Sequence, residues 1–335
     1  MDTLIIPQSL VPELLPMNDC ILAMDEALRT LSRGEAVLPL RSMVWMPDRS
    51  GLLGLMPAYL ASPASLGLKV ITYLPGNHGT DRDSHQGAVL LFDTTTGALL
   101  AVVDASSITA IRTAAVSGLA TDRLARVDAG DLALVGSGVQ AETHLLAMQA
   151  VRTLRRIRVC GKTLESAQEF ARRNASAAGV PIEPVASAEA AVRGADLICT
   201  TTSSREPVVF GDRIERGAHV NAVGACFKDF RELDTRAVVR SRLYVDRKES
   251  ALAESGDVLI PMREGAIGDG HIVGEIGAVL LDRVPGRRSP DEITLFKSLG
   301  IAVEDLAAAH RIHARARAAG KGIAVDFGGH RRAGA

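Results

Sequence analysis

The stretch Leu132–Ala141, LALVGSGVQA, constrains the fold of this chain more than any other segment. A short apolar run leads into Gly-x-Gly-x-x-Ala and then into a helical pattern, which is the strand–turn–helix order of a dinucleotide-binding unit. The two glycines allow a tight turn and close approach of a pyrophosphate, and the N–H groups at the helix start face its phosphates. The predicted cofactor contacts in this turn are Gly136, Ser137, Gly138, Val139 and Gln140.

The residues after this motif repeat the strand–helix alternation that it requires. Strands are predicted at 131–135, 156–160, 182–185, 196–201, 218–223 and 242–246, with one more near residues 294–296. Helices are predicted between them at 140–152, 164–178 and 188–193. Such alternation favours a doubly wound parallel sheet with right-handed crossovers, so the chain is expected to be an α/β protein.

The first part of the chain has a different pattern. A predicted amphipathic helix at 18–33 is followed by β-like runs at 41–46, 52–56, 66–73, 87–92 and 99–103. The turn Asp93–Gly97 joins the last two runs, which indicates antiparallel pairing. A helix at 108–124 leads into the second part, and a long helix at 301–319 ends at Gly320, before a predicted loose tail at 328–335. We therefore predict a mostly antiparallel domain (1–118 with 309–335) and a parallel-sheet domain (119–308).

Composition and charge exclude several classes of function. A formal net charge of −1 gives no electrostatic reason to expect nucleic acid or an anionic membrane as a partner. The cysteines at 20, 160, 199 and 226 have no metal-ligand or CxxC spacing, which predicts no metal site and a reducing compartment. The sequence has neither a signal-peptide pattern at its start nor a run of 18 apolar residues, so we expect a cytoplasmic protein.

The end of the second predicted strand indicates which dinucleotide is bound. In this fold an acidic residue there accepts hydrogen bonds from a free ribose 2′-hydroxyl and repels a 2′-phosphate. This strand ends in Cys160-Gly161-Lys162-Thr163, with no acid at its tip. Lys162 offers a cation and Thr163 a hydroxyl, although Lys162 also fits an ordinary exposed loop lysine. The pattern favours NADP(H) over NAD(H).

Three cations in the first part suggest a site for an anionic substrate: Arg41, Lys69 and Arg112. Lys69 shares a sheet face with Gly67 and Ile71, which predicts a buried ammonium group. Arg112 lies in a helix start of apolar and small residues. A single cation in such a place more often forms a structural ion pair or lies at the surface, but three together would grip a carboxylate.

These residues also carry a resemblance to the ornithine cyclodeaminase/mu-crystallin family, most closely to its ketimine reductase branch. The similarity extends from about residue 20 to residue 320. Its carrying segments are LMPAY (55–59), SHQ (84–86), VLLF (89–92), ITA (108–110), RTAAVS (112–117), GVQA (138–141), GAHVNAVGA (217–225), LYVD (243–246), ESGDVL (254–259) and FKSLG (296–300).

The resemblance implies a homodimer with a β-rich domain for substrate binding and dimerisation and a Rossmann-type domain for the cofactor. It implies that Arg41 and Arg112 hold the substrate carboxylate and that Lys69, the predicted catalytic residue, lies beside the reacting C–N centre. His85 and Gln86 become pocket-wall candidates, although His85 also fits a structural histidine. The further predicted cofactor contacts are Gly161, Lys162 and Thr163 at the end of the second predicted strand, and, from the resemblance, Thr113, Val223, Gly224, Ser298 and Gly300.

Three departures from the cyclodeaminase pattern point away from ring closure. Cyclodeaminases carry an Asp where this chain has Cys226 and a Glu where it has Gly54, and ring closure by an amine needs such a base. An unperturbed thiol is mostly protonated at neutral pH, and Asp229 lies three residues away from the required position. The third departure is the missing acid at the ribose position.

A reductase needs less from the protein, because the cofactor supplies the chemistry. We therefore predict an NADPH-dependent reductase of cyclic ketimines that converts Δ1-pyrroline-2-carboxylate or Δ1-piperideine-2-carboxylate to L-proline or L-pipecolate. Three alternatives remain: an amino acid dehydrogenase of the alanine type, an ornithine cyclodeaminase, and a non-enzymatic, crystallin-like ligand-binding protein. The sequence does not encode ring size or the physiological direction.

Overall fold

The computed structural model describes residues Asp2–Gly329 and divides into two compact units. Unit 1 comprises Met1–Arg112 and Ile301–Ala335, and unit 2 comprises Thr113–Gly300. Both boundaries lie earlier in the chain than the expected residues 118 and 309. The first falls within the helix Ala105–Leu124, and the second directly precedes the helix Ala302–Ala319, which is contained entirely in unit 1. The predicted tail at 328–335 falls outside the described residues except for its first two positions.

Unit 1 is built on an eight-stranded sheet. Its strands are β1 (Thr3–Ile6), β2 (Ala36–Val37), β3 (Ser42–Trp45), β4 (Leu52–Ala61), β5 (Ala64–Tyr73), β6 (His85–Phe92), β7 (Leu99–Asp104) and β16 (Ile323–Val325). Their order is β16-β1-β7-β6-β5-β4-β2, and β3 also pairs with β4. Only the pairing of β1 with β7 is parallel among these strands, so the prediction of a mostly antiparallel sheet is confirmed.

The predicted turn between β6 and β7 is present. The N–H of Gly97 donates to the Asp93 carbonyl at 3.0 Å, and Gly97 has a φ of +73°, which a residue with a side chain rarely adopts. The Asp93 carboxylate accepts from the N–H groups of Thr95 and Thr96. This local chemistry explains why the turn could be recognised from the sequence.

The helices of unit 1 are α1 (Val11–Leu14), α2 (Met17–Ser32), the first part of α3 (Ala105–Leu124) and α11 (Ala302–Ala319). Of these, α2 and α11 pack on the sheet. Helix α2 buries Cys20, Met24, Ala27 and Leu28 on one face, as its amphipathic pattern predicted. Helix α11 ends at Gly320, which has a left-handed φ of 62°. Much of α11 is buried, and it contacts β4, β5 and β6. Its side chains therefore face the middle of the sheet.

Unit 2 is a parallel sheet with helices between its strands. The strands are β8 (Asp131–Val135), β9 (Arg156–Cys160), β10 (Ile182–Pro184), β11 (Leu197–Thr200), β12 (His219–Ala222), β13 (Ser241–Val245), β14 (Ile272–Glu275) and β15 (Ile293–Lys297). The helices are α4 (Val139–Val151), α5 (Leu164–Asn174), α6 (Ala188–Val192), α7 (Thr235–Val239), α8 (Lys248–Glu254), α9 (Gly256–Arg263) and α10 (Ile276–Leu280).

The strand order of unit 2 is β10-β9-β8-β11-β12-β15-β13-β14, and every pairing in it is parallel. The order reverses at β8, whose neighbours are β9 and β11, as in a Rossmann-type sheet. The predicted doubly wound α/β fold is confirmed. Because parallel strands point the same way, the loops after β8, β9, β11, β12 and β15 all leave from one edge of the sheet, which we call the carboxyl edge.

Candidate functional site

Lys69 lies on the buried face of β5. Its relative exposure is 2%, and Gly67 and Ile71 on the same face are also buried, as the alternation predicted. Helix α11 packs against this face, since a methyl group at Gly67 would come within 2.6 Å of Leu306 Cδ2. The ammonium group is therefore enclosed between the sheet and α11, where a charge needs a partner.

The partners of the buried cations come from α11. Asp305 Oδ2 lies 2.8 Å from Lys69 Nζ, and Asp305 Oδ1 accepts from Arg112 Nε at 2.9 Å. Glu304 Oε2 accepts from Arg112 Nη1 at 2.8 Å. Arg112 is 3% exposed and both acids are fully buried. One carboxylate thus bridges Lys69 and Arg112 and fixes the distance between their charges.

The electrostatics of this cluster lower two pKa values. Burial lowers the pKa of Lys69 to about 8 against the attraction of Asp305, and the charges of Arg112 and Arg41 add to this effect. Burial alone would raise the pKa of Asp305, but Arg112 and Lys69 hold it below its usual range. Lys69 therefore keeps its proton at neutral pH and loses it near pH 8, whereas Asp305 stays ionised.

Two further predicted residues, Arg41 and His85, lie close enough to Lys69 for electrostatic interaction with it. Arg41 is half-buried in the segment before β3 and lies close enough to Lys69 to affect its pKa. His85 begins β6; desolvation, with the Lys69 charge adding to it, lowers its pKa to about 4, although the residue keeps accessible surface. Its ring stacks on Tyr73 with centroids 4.7 Å apart. His85 is therefore a neutral ring at neutral pH.

Gln86 lies in a different environment. It is the next residue of β6, so its side chain projects from the opposite face of the strand. Its amide donates to the Asp83 carbonyl at 2.9 Å, and it lines an open groove with Asp81, Asp83 and Asp104. The structure thus brings Arg41, Lys69, Arg112 and His85 together and places Gln86 beside acidic residues.

In unit 2, the glycine turn has the geometry that the motif predicted. Gly136 has a φ of +123°, and a methyl group there would lie 2.4 Å from Thr201 Oγ1. Gly138 is the N-cap of α4, and a methyl group there would meet no atom within 4 Å. Ala141 is fully buried. The turn is closed by Thr201 on one side and open at the start of the helix, the arrangement of a phosphate-binding turn.

The end of β9 adjoins this turn. A methyl group at Gly161 would lie 2.5 Å from Ser137 Oγ and 2.1 Å from Ser166 Oγ, so the two segments are in direct contact. Lys162 is exposed at this tip. Thr163 is the N-cap of α5, and its Oγ1 accepts from the Ser166 N–H at 3.2 Å. The Thr163 hydroxyl oxygen thus has a structural role as a helix cap.

The remaining predicted cofactor contacts lie farther along the carboxyl edge. Val223 and Gly224 follow β12, where a methyl group at Gly224 would meet the Thr202 carbonyl at 1.9 Å. Ser298 and Gly300 follow β15, and Gly300 has a φ of +72°. Thr113 is buried in α3. Apart from Thr113 in its helix, the residues predicted for the cofactor are therefore collected at the ends of neighbouring parallel strands.

The sequence patterns did not identify the buried acids that hold Lys69 and Arg112, or the buried acids and lysine that hold the loops of the carboxyl edge. They are Glu304 and Asp305 in unit 1 and Glu232, Asp246, Asp257 and Lys297 in unit 2. Asp246 Oδ2, for example, accepts from the N–H groups of Leu299 at 2.6 Å and Gly300 at 2.8 Å. The available signal was a charged residue at or directly after the end of an apolar strand, as at Lys297 and Asp246. Glu304 and Asp305 lie in a helix that carries several other charged side chains, so they gave no such signal.

Two of the departures from the cyclodeaminase pattern, Gly54 and Cys226, and the nearby acid Asp229 occupy different settings. Gly54 pairs with Ile71 across β4 and β5. Cys226 follows β12 and donates weakly to the Val223 carbonyl, with Sγ and O 3.5 Å apart. Asp229 has a side chain that is 66% exposed and lies 3.7 Å from Arg263. The acid nearest in sequence to the departure at Cys226 is thus a surface group.

Within residues 2–329, no group of three or more His, Cys, Asp or Glu side chains is arranged to hold a metal ion. No helix in the same range combines the length and apolar character needed to cross a membrane.

Comparison with known proteins gave consistent matches over the whole chain. The model of the ornithine cyclodeaminase/mu-crystallin family matches residues 1–320. Ketimine reductase mu-crystallin from Mus musculus is 41% identical over 87% of this chain and 90% of its own length.

Solved structures match equally well. The Thermococcus litoralis Δ1-pyrroline-2-carboxylate reductase in complex with NADH and L-proline is 38% identical, with a TM-score of 0.94 over 96% of this chain and 100% of that one. An archaeal alanine dehydrogenase dimer with bound NAD is 32% identical, with a TM-score of 0.91 over 98% of this chain and 100% of that one.

Proposed function

Because this chain belongs to the ornithine cyclodeaminase/mu-crystallin family and is an oxidoreductase, we propose that it reduces small cyclic 2-imino acids with NADPH. The substrates would be Δ1-pyrroline-2-carboxylate or Δ1-piperideine-2-carboxylate and the products L-proline or L-pipecolate. The observation that carries this proposal is the Asp305 bridge, which holds Lys69 and Arg112 as a fixed pair of buried cations. A fixed cation pair is suited to orienting a carboxylate beside a reacting centre.

In this proposal Arg41 and Arg112 bind the substrate carboxylate. A planar guanidinium group donates two parallel hydrogen bonds to a carboxylate, which sets both its position and its orientation. Arg112 is itself held by Glu304 and Asp305, so its direction is fixed before substrate binds. Arg41 is half-buried and belongs to the irregular segment between β2 and β3, where a local shift of backbone costs little.

In this proposal Lys69 carries the proton that the imine nitrogen takes up. When bound, the reduced nicotinamide supplies a hydride to the imine carbon, and the nitrogen takes up one proton, so NADPH, a proton and the cyclic imine give the amino acid and NADP⁺. The pKa of Lys69 is lowered to about 8, which lets it donate a hydrogen bond or a proton near neutral pH. Asp305 keeps Nζ in place without touching substrate.

The cyclodeaminase alternative lacks its base. Gly54 carries no side chain, and Cys226 stands where cyclodeaminases carry an aspartate. Asp229 is exposed and faces Arg263. Ring closure needs a group that removes protons from an amine, whereas reduction of an existing imine does not. These residues therefore support the reductase.

The carboxyl edge of unit 2 fits a dinucleotide. The open start of α4 leaves room beside Gly138, and α4 is a helix of 13 residues whose first N–H groups suit a pyrophosphate. The loops at Val223–Gly224 and Ser298–Gly300 would hold the nicotinamide half. The absence of an acid at the end of β9, with Lys162 exposed there, supports NADPH over NADH.

Two glycine substitutions separate folding from cofactor binding. Gly136→Ala will lower the stability of the apo-protein by about 1–3 kcal/mol, because Gly136 has a φ of +123° and Thr201 Oγ1 occupies the space. Gly138→Ala will leave apo stability nearly unchanged, because its methyl group meets no protein atom. It will weaken dinucleotide binding, because the methyl group lies where the pyrophosphate would approach the backbone. Thermal unfolding with and without NADPH measures both. Equal NADPH stabilisation of Gly138→Ala and wild type would contradict the assignment of this turn.

Cofactor preference is tested at the tip of β9. Lys162→Ala will raise the Kd of NADPH by about tenfold, the effect of losing one charged contact to a phosphate, and will leave the Kd of NADH unchanged. Lys248→Ala, an exposed lysine on α8 of the same unit, is the control. Fluorescence titration gives both constants. A variant in which the two constants change in parallel would mean that Lys162 is an ordinary surface lysine.

We also propose that the chain forms a homodimer. The related archaeal alanine dehydrogenase is described as a dimer. Unit 1 exposes apolar side chains on and beside β3, namely Val44, Trp45 and Met46, which a partner subunit would cover. Sedimentation equilibrium would return a monomer mass if the proposal is wrong.

One assay tests the reaction. Oxidation of NADPH and of NADH is followed with each cyclic imine and with pyruvate plus ammonia, and ammonia release from ornithine is measured in parallel. Turnover of a cyclic imine supports the proposal. Turnover of pyruvate plus ammonia alone would identify an amino acid dehydrogenase, the alternative that the alanine dehydrogenase likeness favours. Tight cofactor binding without turnover of any substrate would identify a ligand-binding protein.

A further inference from the structure

Three ionisable side chains are fully buried behind the carboxyl edge of unit 2, in a place that the proposed mechanism does not use. Glu232, Asp257 and Lys297 have exposures of 0%, 1% and 0%. Lys297 Nζ lies 3.0 Å from Asp257 Oδ2. Asp257 Oδ1 accepts from the N–H groups of Glu232 at 2.9 Å and Leu233 at 3.1 Å. We call these three side chains the buried network.

The buried network holds backbone on both sides of it. Glu232 Oε1 accepts from the Thr202 N–H at 2.6 Å, and Glu232 Oε2 accepts from the Gly224 N–H at 2.7 Å. Lys297 Nζ donates to the Ala225 carbonyl at 2.7 Å. The side chain of Thr200 also donates to Glu232, at 2.8 Å. The loops that follow β11 and β12 are thus tied to one set of charges.

Both loops belong to the carboxyl edge, where the proposed function puts the nicotinamide half of the cofactor. They touch each other, since a methyl group at Gly224 would meet the Thr202 carbonyl at 1.9 Å. Lys297 is the last residue of β15 and directly precedes Ser298. A shift of the buried network would therefore move three neighbouring loops of this edge together.

Stability alone does not explain two carboxylates and an ammonium group in this place. Taking charges out of water costs several kcal/mol per ion, and apolar side chains of similar volume often give equal or greater stability. Burial raises the pKa of Glu232, while Asp257 holds the pKa of Lys297 above its usual value against the effect of burial. The charges instead fix the orientation of the loop backbone, because each one holds an N–H or a C=O group of a loop.

We propose that Glu232, Asp257 and Lys297 are positioning residues for hydride transfer, which act by fixing the backbone of Thr202 and of Gly224–Ala225 at the carboxyl edge. This inference rests on the proposed oxidoreductase function. The three residues act through the loops and make no contact with the substrate. Placement errors of about 1 Å lower reaction rates by about 10²-fold, so the network would act mainly on kcat.

The decisive variant removes both members of the Lys297–Asp257 ion pair, so the net charge of the buried network stays the same. Lys297→Met alone leaves Asp257 buried without its cation and will lower the unfolding temperature, whereas Lys297→Met with Asp257→Asn will recover most of that loss. The double variant will still show kcat lowered by about 10²-fold, with KM for the imine within about threefold of wild type. Lys248→Met is the control, because Lys248 is exposed on α8.

A second pair of variants tests the same point with minimal risk to folding. Thr200→Val keeps the shape of the side chain but removes its hydrogen bond to Glu232, and will lower kcat by about tenfold. Thr200→Ser keeps the hydroxyl and will restore kcat to within about twofold of wild type. If these residues only stabilised the fold, the variants would not lower kcat while KM for the imine stays near its wild-type value.

The fluorescence emission of bound NADPH or NADH provides a readout that needs no turnover. We expect the emission maximum to shift in the double variant and in Thr200→Val, and to stay at the wild-type value in Thr200→Ser and Lys248→Met. If these variants keep wild-type kcat and emission, the buried network is purely structural. If wild-type protein binds cofactor but reduces no imine, the proposed function fails. The emission shifts of the variants then test by themselves whether the buried network positions the loops.

Discussion

Lys69→Met will lower kcat for imine reduction by about 10²- to 10⁴-fold and leave the Kd of NADPH unchanged. The substitution keeps the length of the side chain but removes the ammonium group that we assign to the reacting nitrogen. Arg112 stays paired with Glu304 and Asp305, so part of the carboxylate site remains. Steady-state kinetics and a cofactor titration measure the two effects separately.

Lys321→Met is the matched control, because Lys321 is the other lysine of unit 1 and is partly exposed beside Glu13. Its kinetics should equal those of wild type. Unchanged turnover in Lys69→Met would remove Lys69 from the site, and loss of cofactor binding together with turnover would point to a general effect on folding.

The same lysine predicts a pH dependence. The pKa of Lys69 is lowered from 10.5 to about 8, so its proton is present below pH 8 and is lost above it. If Lys69 supplies the proton, kcat falls as pH rises through about 8, and the residual activity of Lys69→Met lacks this fall. A wild-type kcat that is flat from pH 7 to 10, a range that brackets the lowered pKa, would contradict the role.

Asp305→Asn will destabilise the protein by about 3–5 kcal/mol, the largest effect on stability that we expect from a single side chain here. Asp305 is fully buried and lies within 3 Å of two cations, so a neutral amide leaves Lys69 and Arg112 to share the single charge of Glu304. Urea unfolding gives the free energy. Asp25→Asn is the control: its partly exposed pair with Arg29 contributes less than about 1 kcal/mol.

A second substitution should recover part of this loss. Adding Lys69→Met to Asp305→Asn removes one uncompensated buried cation, so the double variant should be more stable than Asp305→Asn alone. Because folding lowers the pKa of Asp305, its contribution is present at neutral pH and is lost as pH falls below the range of a free aspartate, about 3.9. An Asp305→Asn protein as stable as wild type would mean that the cations are compensated elsewhere.

Local patterns were sufficient for most of the elements. The period-2 alternation gave β4 to β7, and the strand–helix alternation gave β8 to β12 with α4 to α6, because each of these elements buries a regular face. The short elements β1, β2, β14 and β16 were missed. Strands of two to four residues have too few side chains to show a period, and these four lie outside the strand–helix alternation that indicated the equally short β10 to β12. They form because a neighbouring strand offers hydrogen bonds.

The residues of the candidate site also fall into those that a local pattern reveals and those that it does not. Gly136 and Gly138 were recognisable because their roles depend on local backbone geometry, and Lys69 because one cation interrupted an apolar face. Asp305 was not recognisable, since Asp in the first turn of a helix is ordinary. Its importance arises only when α11 returns to the face of β5 that carries Lys69, more than 200 residues earlier in the chain.

By itself, the sequence determined the two types of sheet, the glycine turn that we propose for the dinucleotide and the cations that we propose for a carboxylate. These depend on side-chain period, glycine geometry and charge along a short stretch of chain. Only the tertiary structure decided which acids hold those cations and which buried ions hold the loops of the carboxyl edge. Buried charges are stable only beside partners of opposite charge, and such partners are brought together by packing between segments that are distant in the chain.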